Sequence, residues 1–338
     1  MPITTELLET ATTTSPHEAF AHDVRQGLAG RPKSLSSAWF YDDRGSRLFE
    51  EITQLPEYYL TRCEHEILAA QAGGIGQQLA GAPFRIVEIG AGDGHKTELL
   101  LRQFVQQGLE FEYVPIDICQ RSVVDLITKL RRTFKGDFLV RGIVGEYHAA
   151  LDLLREQQPM RNLVLFLGSS IGNFDHVQAQ RFLKGLRQSL MLGDLALIGF
   201  DLKKDPQILQ QAYDDSAGVT REFNLNLLDR INSELDGQFD RHLFQHHAAY
   251  NPIAGCMESY LVSRQRQIVR IAALNCSFLF EPWEAIKVEC SYKYDAALIE
   301  SLATSSGFCL GRQYQDRRGY FVDSLWEACP TNPLPGAA

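Results

Sequence analysis

No C-x-x-C pair occurs in this chain. Its seven cysteines, Cys63, Cys119, Cys256, Cys276, Cys290, Cys309 and Cys329, are scattered, so the spacings of a zinc knuckle or a redox dithiol are missing. Their odd number reads as reduced thiols in a cytosol. Also missing are a basic n-region and apolar h-region at the start, MPITTELLETATTTS, and any apolar run long enough to span a bilayer. A cytoplasmic, membrane-free protein is expected. Positive charge is in deficit: 33 Lys and Arg stand against 42 Asp and Glu, a formal net charge of −9. That argues against a nucleic-acid partner, because such binding draws most of its affinity from cations on phosphates. No repeat is visible, and only the tail PTNPLPGAA reads as disordered.

What is present is ordinary globular material, 45% apolar and 22% charged. A chain of 338 residues exceeds what one hydrophobic core usually serves, so two structural units are expected. PFRIVEIG (83–90), FEYVPIDI (111–118), a stretch near 138–144, NLVLFLG (162–168) and DLALIGFD (194–201) are apolar runs separated by helical patterns such as 95–107 and 121–134. Such βαβ alternation marks a parallel sheet covered on both faces. After Asp201 the pattern changes to a polar helical stretch, 208–235, and strand-like stretches at 257–270 and 285–294. A helix at 296–305 and two terminal strands, 309–314 and 320–326, follow.

In VEIGAGDGHKTELLL (87–101), Gly90, Gly92 and Gly94 follow a strand and open a helix, so backbone can approach a ligand with no Cβ in the way. Asp117 ends the next strand, where a carboxylate reaches the hydroxyls of a ribose. A nucleoside ligand is expected. The G-x-G-x-x-G dinucleotide fingerprint fails, since His95 stands where its last glycine would be. The G-x-G-x-G spacing favours S-adenosylmethionine, with Lys96 placed to meet its methionine carboxylate. Three glycines also suit a plain tight connection.

SSAWFYDDRGSRLFEEITQLPEYYLTR (36–62), FLGSSIGNF (166–174), GFDLKKD (199–205), AYDDSAGVTREFNLNLLDRINSEL (212–235) and VECSYKY (288–294) carry a family resemblance. The chain resembles the histidine-specific, S-adenosylmethionine-dependent Nα-methyltransferases of ergothioneine biosynthesis, from about Ala19 to Phe321. The resemblance implies an α/β fold: a Rossmann-like class I methyltransferase core, mostly parallel with antiparallel C-terminal strands, plus an α+β substrate-binding domain. Residues 63–201 and 293–338 are assigned to the core, and 1–62 and 202–292 to the substrate domain. The implied activity converts free L-histidine to its trimethylated betaine, hercynine, in a monomer that needs no metal.

Methyl transfer of this kind requires a neutral amine in line behind a sulfonium methyl and no covalent intermediate. Well-oriented reactants can reach effective molarities on the order of 10⁵–10⁸ M, so binding residues rather than a nucleophile are sought. Asn173, in a loop at the carboxyl edge of the sheet, offers an amide to an amino acid's carboxylate or amine. Tyr213 offers a hydroxyl and a ring wall. Glu289 and Ser291, two apart on a strand, share a face and suit the two imidazole nitrogens. The resemblance assigns these residues to substrate, adds Tyr58, and places Tyr41 with Asn173 near the reacting amine. To the cofactor it assigns Gly90, Gly92, Lys96 and Asp117, with the adenine pair falling on Glu146 and Tyr147, where the family usually has Asp-Phe. A second departure is Ser259, where a pocket-side methionine is usual; the smaller side chain is expected to enlarge the imidazole end and relax selectivity.

Other patterns carry less. His242, His246 and His247 have helical spacing but lack the glutamate of H-E-x-x-H, and read as a solvated helix face. Lys203 and Lys204 lack a phosphate loop, and the SSIG serine is no nucleophile elbow. The alternatives left open are the same chemistry on another amino acid, such as tryptophan, and a non-catalytic S-adenosylmethionine-binding subunit.

Overall fold

The strand Phe84–Ile89 is buried at every position, which only a sheet covered on both faces allows. The computed structural model describes residues 7–9, 15–145, 147–157 and 160–330; Glu146 and most of the tail PTNPLPGAA lie outside them. The chain divides into two compact units. The first comprises Met1–Thr12, Arg62–Leu202 and Tyr294–Ala338, the second Thr13–Thr61 and Lys203–Lys293.

The first unit is built on a nine-stranded sheet. Its spatial order is Leu7–Glu9, Gly142–Val144, Phe111–Asp117, Phe84–Ile89, Arg161–Phe166, Leu195–Asp201, Phe321–Ala328 and Phe308–Gln315, with Leu139–Val140 paired beside Phe111–Asp117. Pairing is parallel as far as Leu195–Asp201, and the last two strands are antiparallel. Strand order reverses between Phe84–Ile89 and Arg161–Phe166. The crevice beyond the carboxyl ends of these two strands is therefore where ligands bind in open α/β sheets.

The second unit holds a four-stranded sheet ordered Lys33–Ser34, Ala285–Tyr292, Cys256–Ser263, Phe244–Asn251, and a two-stranded ribbon of Gln267–Ile271 and Cys276–Phe280. Helices Pro16–Ala29, Asp43–Gln54, Pro206–Tyr213 and Val219–Leu235 complete it. Asp205 starts one of them by accepting from the Gln207 amide at 2.9 Å, with Pro206 pre-setting the first turn.

Three expectations need correction. The histidine stretch is no helix: His246 and His247 lie on Phe244–Asn251, pinned by a full antiparallel ladder to Cys256–Ser263, and His246 is buried. Residues 1–62 do not all stand outside the core, because Leu7–Glu9 adds a parallel edge strand to Gly142–Val144. The cysteines are not all reduced, since Cys309 of the strand Phe308–Gln315 forms a disulfide with Cys329, the residue just past Phe321–Ala328. No helix among the described residues is long and apolar enough to cross a membrane.

Candidate active site

In the first unit the glycine turn follows Phe84–Ile89 directly. Gly90 and Gly92 have φ of 70° and 52°, conformations costly to residues with a Cβ. A Cβ built on either would meet no protein atom within 4 Å, so the turn borders open space. The Gly90 amide donates to Ile116 O at 2.9 Å, tying the turn to the end of the next strand. There the Asp117 carboxylate accepts from the Cys119 amide at 2.9 Å and from the Gly92 amide. Burial nonetheless raises the Asp117 pKa. An uncovered glycine backbone beside a strand-end carboxylate fits the ribose and methionine portions of S-adenosylmethionine.

Lys96 immediately precedes the helix Thr97–Gln106, and it is not idle. Its ammonium is ion-paired with Glu64. Burial pulls the ammonium down, but Glu64, then Glu88 and Asp323, more than offset this, and the net pKa is raised. Glu64, missed in the sequence, is fully buried and also accepts from the Gly168 amide at 2.7 Å. It thereby links the lysine to the end of Arg161–Phe166. Nothing in RCEHEIL distinguishes it from a surface glutamate. Tyr147 opens the helix Tyr147–Gln157, its ring 4.8 Å from that of Phe182. Asn173 ends the short turn Ser170–Asn173 beyond Arg161–Phe166 and is exposed. The Tyr294 hydroxyl braces this turn by donating to Ile171 O at 3.1 Å.

In the second unit the polar groups converge on one face of the Cys256–Ser263 and Ala285–Tyr292 pair, where Met257 stands opposite Ser291 and Ser259 opposite Glu289. The Tyr213 hydroxyl donates to Ser291 Oγ at 2.8 Å. Lys293 Nζ donates to both oxygens at 2.9 Å. Lys293 is 1% exposed, and the sequence reading overlooked it. Ser259 Oγ donates to Glu289 Oε2 at 3.0 Å. Burial raises the Glu289 pKa, opposed by this hydrogen bond and by Lys293. The departure at Ser259 thus supplies a partner for the carboxylate rather than only vacant volume.

Tyr41 is 43% exposed. Its hydroxyl is held above the ordinary phenol range by burial and then by the Glu289 carboxylate. Solvent screening weakens both effects. The Tyr41 ring meets Phe49 edge-on at 5.5 Å, and Phe49 meets Tyr58 at 6.2 Å, so both tyrosines of the sequence reading belong to one aromatic cluster.

The strand order, mostly parallel with two antiparallel strands at one edge, is that of the class I methyltransferase fold. A family model described as "Histidine-specific methyltransferase, SAM-dependent" matches residues 20–328. The chain is 37% identical over 309 residues to the histidine N-alpha-methyltransferase of Mycobacterium tuberculosis, covering 91% of this chain and 95% of that protein. It is 37% identical over 311 residues to the enzyme of the same name from Mycolicibacterium smegmatis, covering 92% and 95%. It is 30% identical to ergothioneine biosynthesis protein 1 of Schizosaccharomyces pombe, covering 90% of this chain and 41% of that longer protein. The chain belongs to the histidine-specific, S-adenosylmethionine-dependent methyltransferase family.

Proposed function

We propose that the protein transfers three methyl groups in succession from S-adenosylmethionine to the α-amine of free L-histidine, forming hercynine, the first step of ergothioneine biosynthesis. The observation that carries this assignment is the Ser259–Glu289 pair beside the Tyr213–Ser291–Lys293 cluster. It is a carboxylate held by a hydroxyl and set next to a hydroxyl and an ammonium, on one face of a two-strand platform. Imidazole presents one N–H and one acceptor nitrogen when neutral; Glu289 accepts the first and Ser291 serves the second. Tyr58, Tyr213 and Asn173 are assigned to the amino-acid end, and Tyr41 and Asn173 to the reacting amine, on the family resemblance of the segments that carry them.

S-adenosylmethionine supplies the electrophilic methyl group. Gly90, Gly92 and Asp117 bind its methionine and ribose portions, Glu146 and Tyr147 its adenine. Lys96 serves the methionine carboxylate from within its ion pair with Glu64. The chain's task is orientation and desolvation of the amine. The substrate ammonium must lose a proton before each attack, and transfer stops when nitrogen is quaternary. Residues 63–201 and 293–338 act as the cofactor domain, and most of the rest as the substrate domain. The net charge of −9 supports a free amino acid rather than a nucleic acid as partner. A cytoplasmic monomer fits this role, although the Cys309–Cys329 disulfide speaks against a reducing compartment.

The test is mass spectrometry of products after incubation with S-adenosylmethionine and all twenty amino acids. Three methyl additions to histidine alone are expected. Methylation of a different amino acid would move the substrate, and cofactor binding without any methylation would sink the catalytic assignment.

A further inference from the structure

Cys290 lies between Glu289 and Ser291 on Ala285–Tyr292, and side-chain alternation turns it to the opposite face. There its Sγ lies 2.9 Å from Sγ of Cys256 on the neighbouring strand. In register, Cys256 stands opposite Tyr292 and Glu258 opposite Cys290. Both thiols are free; Cys256 is buried, and Cys290 keeps partial access to solvent. The hydrogen bond with Cys256 outweighs burial and, together with the Lys287 ammonium, lowers Cys290 to about 7. The Cys256 thiol is pushed well up by the same contact and by burial. One sulfur thus keeps partial access to solvent and the other is buried in contact with it, the placement that attacking and resolving cysteines require.

A metal fits less well. Glu258 lies within 4.8 Å of both sulfurs, but its carboxylate already accepts from Lys287 at 2.7 Å, Tyr260 at 2.8 Å and Asn251 at 3.3 Å. The sulfurs are also closer than the roughly 3.8 Å that separates two thiolates on one tetrahedral zinc.

We infer that Cys290 and Cys256 form a reversible, peroxide-driven disulfide across the two strands, and that this bond weakens binding of the amino-acid substrate. The Cys290 thiolate attacks the peroxide O–O bond, becoming a sulfenic acid and releasing hydroxide. The Cys256 thiol loses its proton, attacks the sulfenyl sulfur and expels the second oxygen as water. Two thiols and one peroxide give one disulfide and two waters; sulfur is oxidised and peroxide reduced, and an external dithiol reverses the change. Closure draws the sulfurs from 2.9 Å to about 2.05 Å, a displacement applied at the residue whose chain neighbours are Glu289 and Ser291. The effect on substrate rests on the proposed function; formation of the bond does not.

The full chain is treated with hydrogen peroxide, with and without later dithiothreitol, then mapped by non-reducing peptide mass spectrometry. In parallel it is titrated by calorimetry with L-histidine and with S-adenosylhomocysteine. A Cys256–Cys290 cross-link is expected, with histidine binding at least about fivefold weaker, the second ligand unaffected, and full recovery on reduction. Cys256→Ser should stop at a sulfenic acid on Cys290 that dimedone traps, and Cys290→Ser should give neither product. Absence of the cross-link in oxidised protein overturns the modification site. A cross-link that leaves histidine affinity unchanged overturns its coupling to recognition. Untreated protein that binds no histidine overturns the proposed function and that coupling together, and the peptide map alone then decides the disulfide.

Discussion

Ser259 donates to Glu289, and hydrogen bonds to charged groups are worth about 1.5–3 kcal/mol. Ser259→Ala should therefore weaken L-histidine binding by roughly ten- to a hundredfold while leaving S-adenosylhomocysteine affinity unchanged, both read by calorimetry. Lys293→Met should weaken histidine binding on a similar scale. Its thermal midpoint should fall by a few degrees, because Met leaves the buried Glu289 carboxylate and two hydroxyls without the ammonium. A midpoint that collapses would make Lys293 a folding residue instead. Asn173→Ala should lower affinity for histidine far more than for the cofactor. Lys293 escaped sequence reading for a physical reason: lysine is almost never fully buried unless paired. Its pairing depends on Tyr213, a residue 80 positions away.

Among elements, the glycine turn is the most exposed to test. A methyl group at position 92 meets no protein atom within 4 Å, so Gly92→Ala costs the fold only the left-handed strain of about 1–2 kcal/mol. The methyl group would project into the open space beside the turn. Cofactor affinity should fall at least about tenfold, with a thermal midpoint lowered by only a few degrees; an unchanged affinity would remove the turn from the cofactor site. This element was legible because buried parallel strands are continuous apolar runs and because three glycines interrupt one of them. Phe244–Asn251 was not. FQHHAAYN has little of the β-branched character of a strand, and its conformation comes from pairing with Cys256–Ser263, a tertiary effect absent from local pattern. The same holds for Lys33–Ser34, two residues that become a strand only beside Ala285–Tyr292.

For the whole molecule, acid stability should be set in part by His246. Burial lowers its pKa from 6.5 to about 4, with the Asp214 carboxylate opposing. Between those values the unfolded chain binds the proton and the folded one does not, so stability falls as pH drops from about 6.5 towards 4 and is unaffected by this group above that window. The difference is on the order of 3 kcal/mol. Chemical denaturation at pH 7 and pH 4.5 should show the loss, and His246→Gln should reduce it. The parallel pairing of the core strands could be anticipated from the βαβ alternation, whereas Leu7–Glu9 joins the sheet through register with Gly142–Val144, which short segments do not announce.

One detail of the core sheet bears on how such a molecule could arise. The chain leaves the first unit after Leu202 and re-enters at Tyr294. These two residues are bridge partners, and the Tyr294 amide donates to Asp201 O at 2.9 Å. Exit and return thus meet in an isolated parallel bridge just past the strand Leu195–Asp201, so their spacing is fixed there whatever length of chain intervenes. Closing a loop grows more costly only logarithmically, by about 0.6 kcal/mol for each doubling of length. Because that bridge is parallel, the intervening chain is a crossover rather than a hairpin, and it can grow or shrink without the parent sheet being rebuilt.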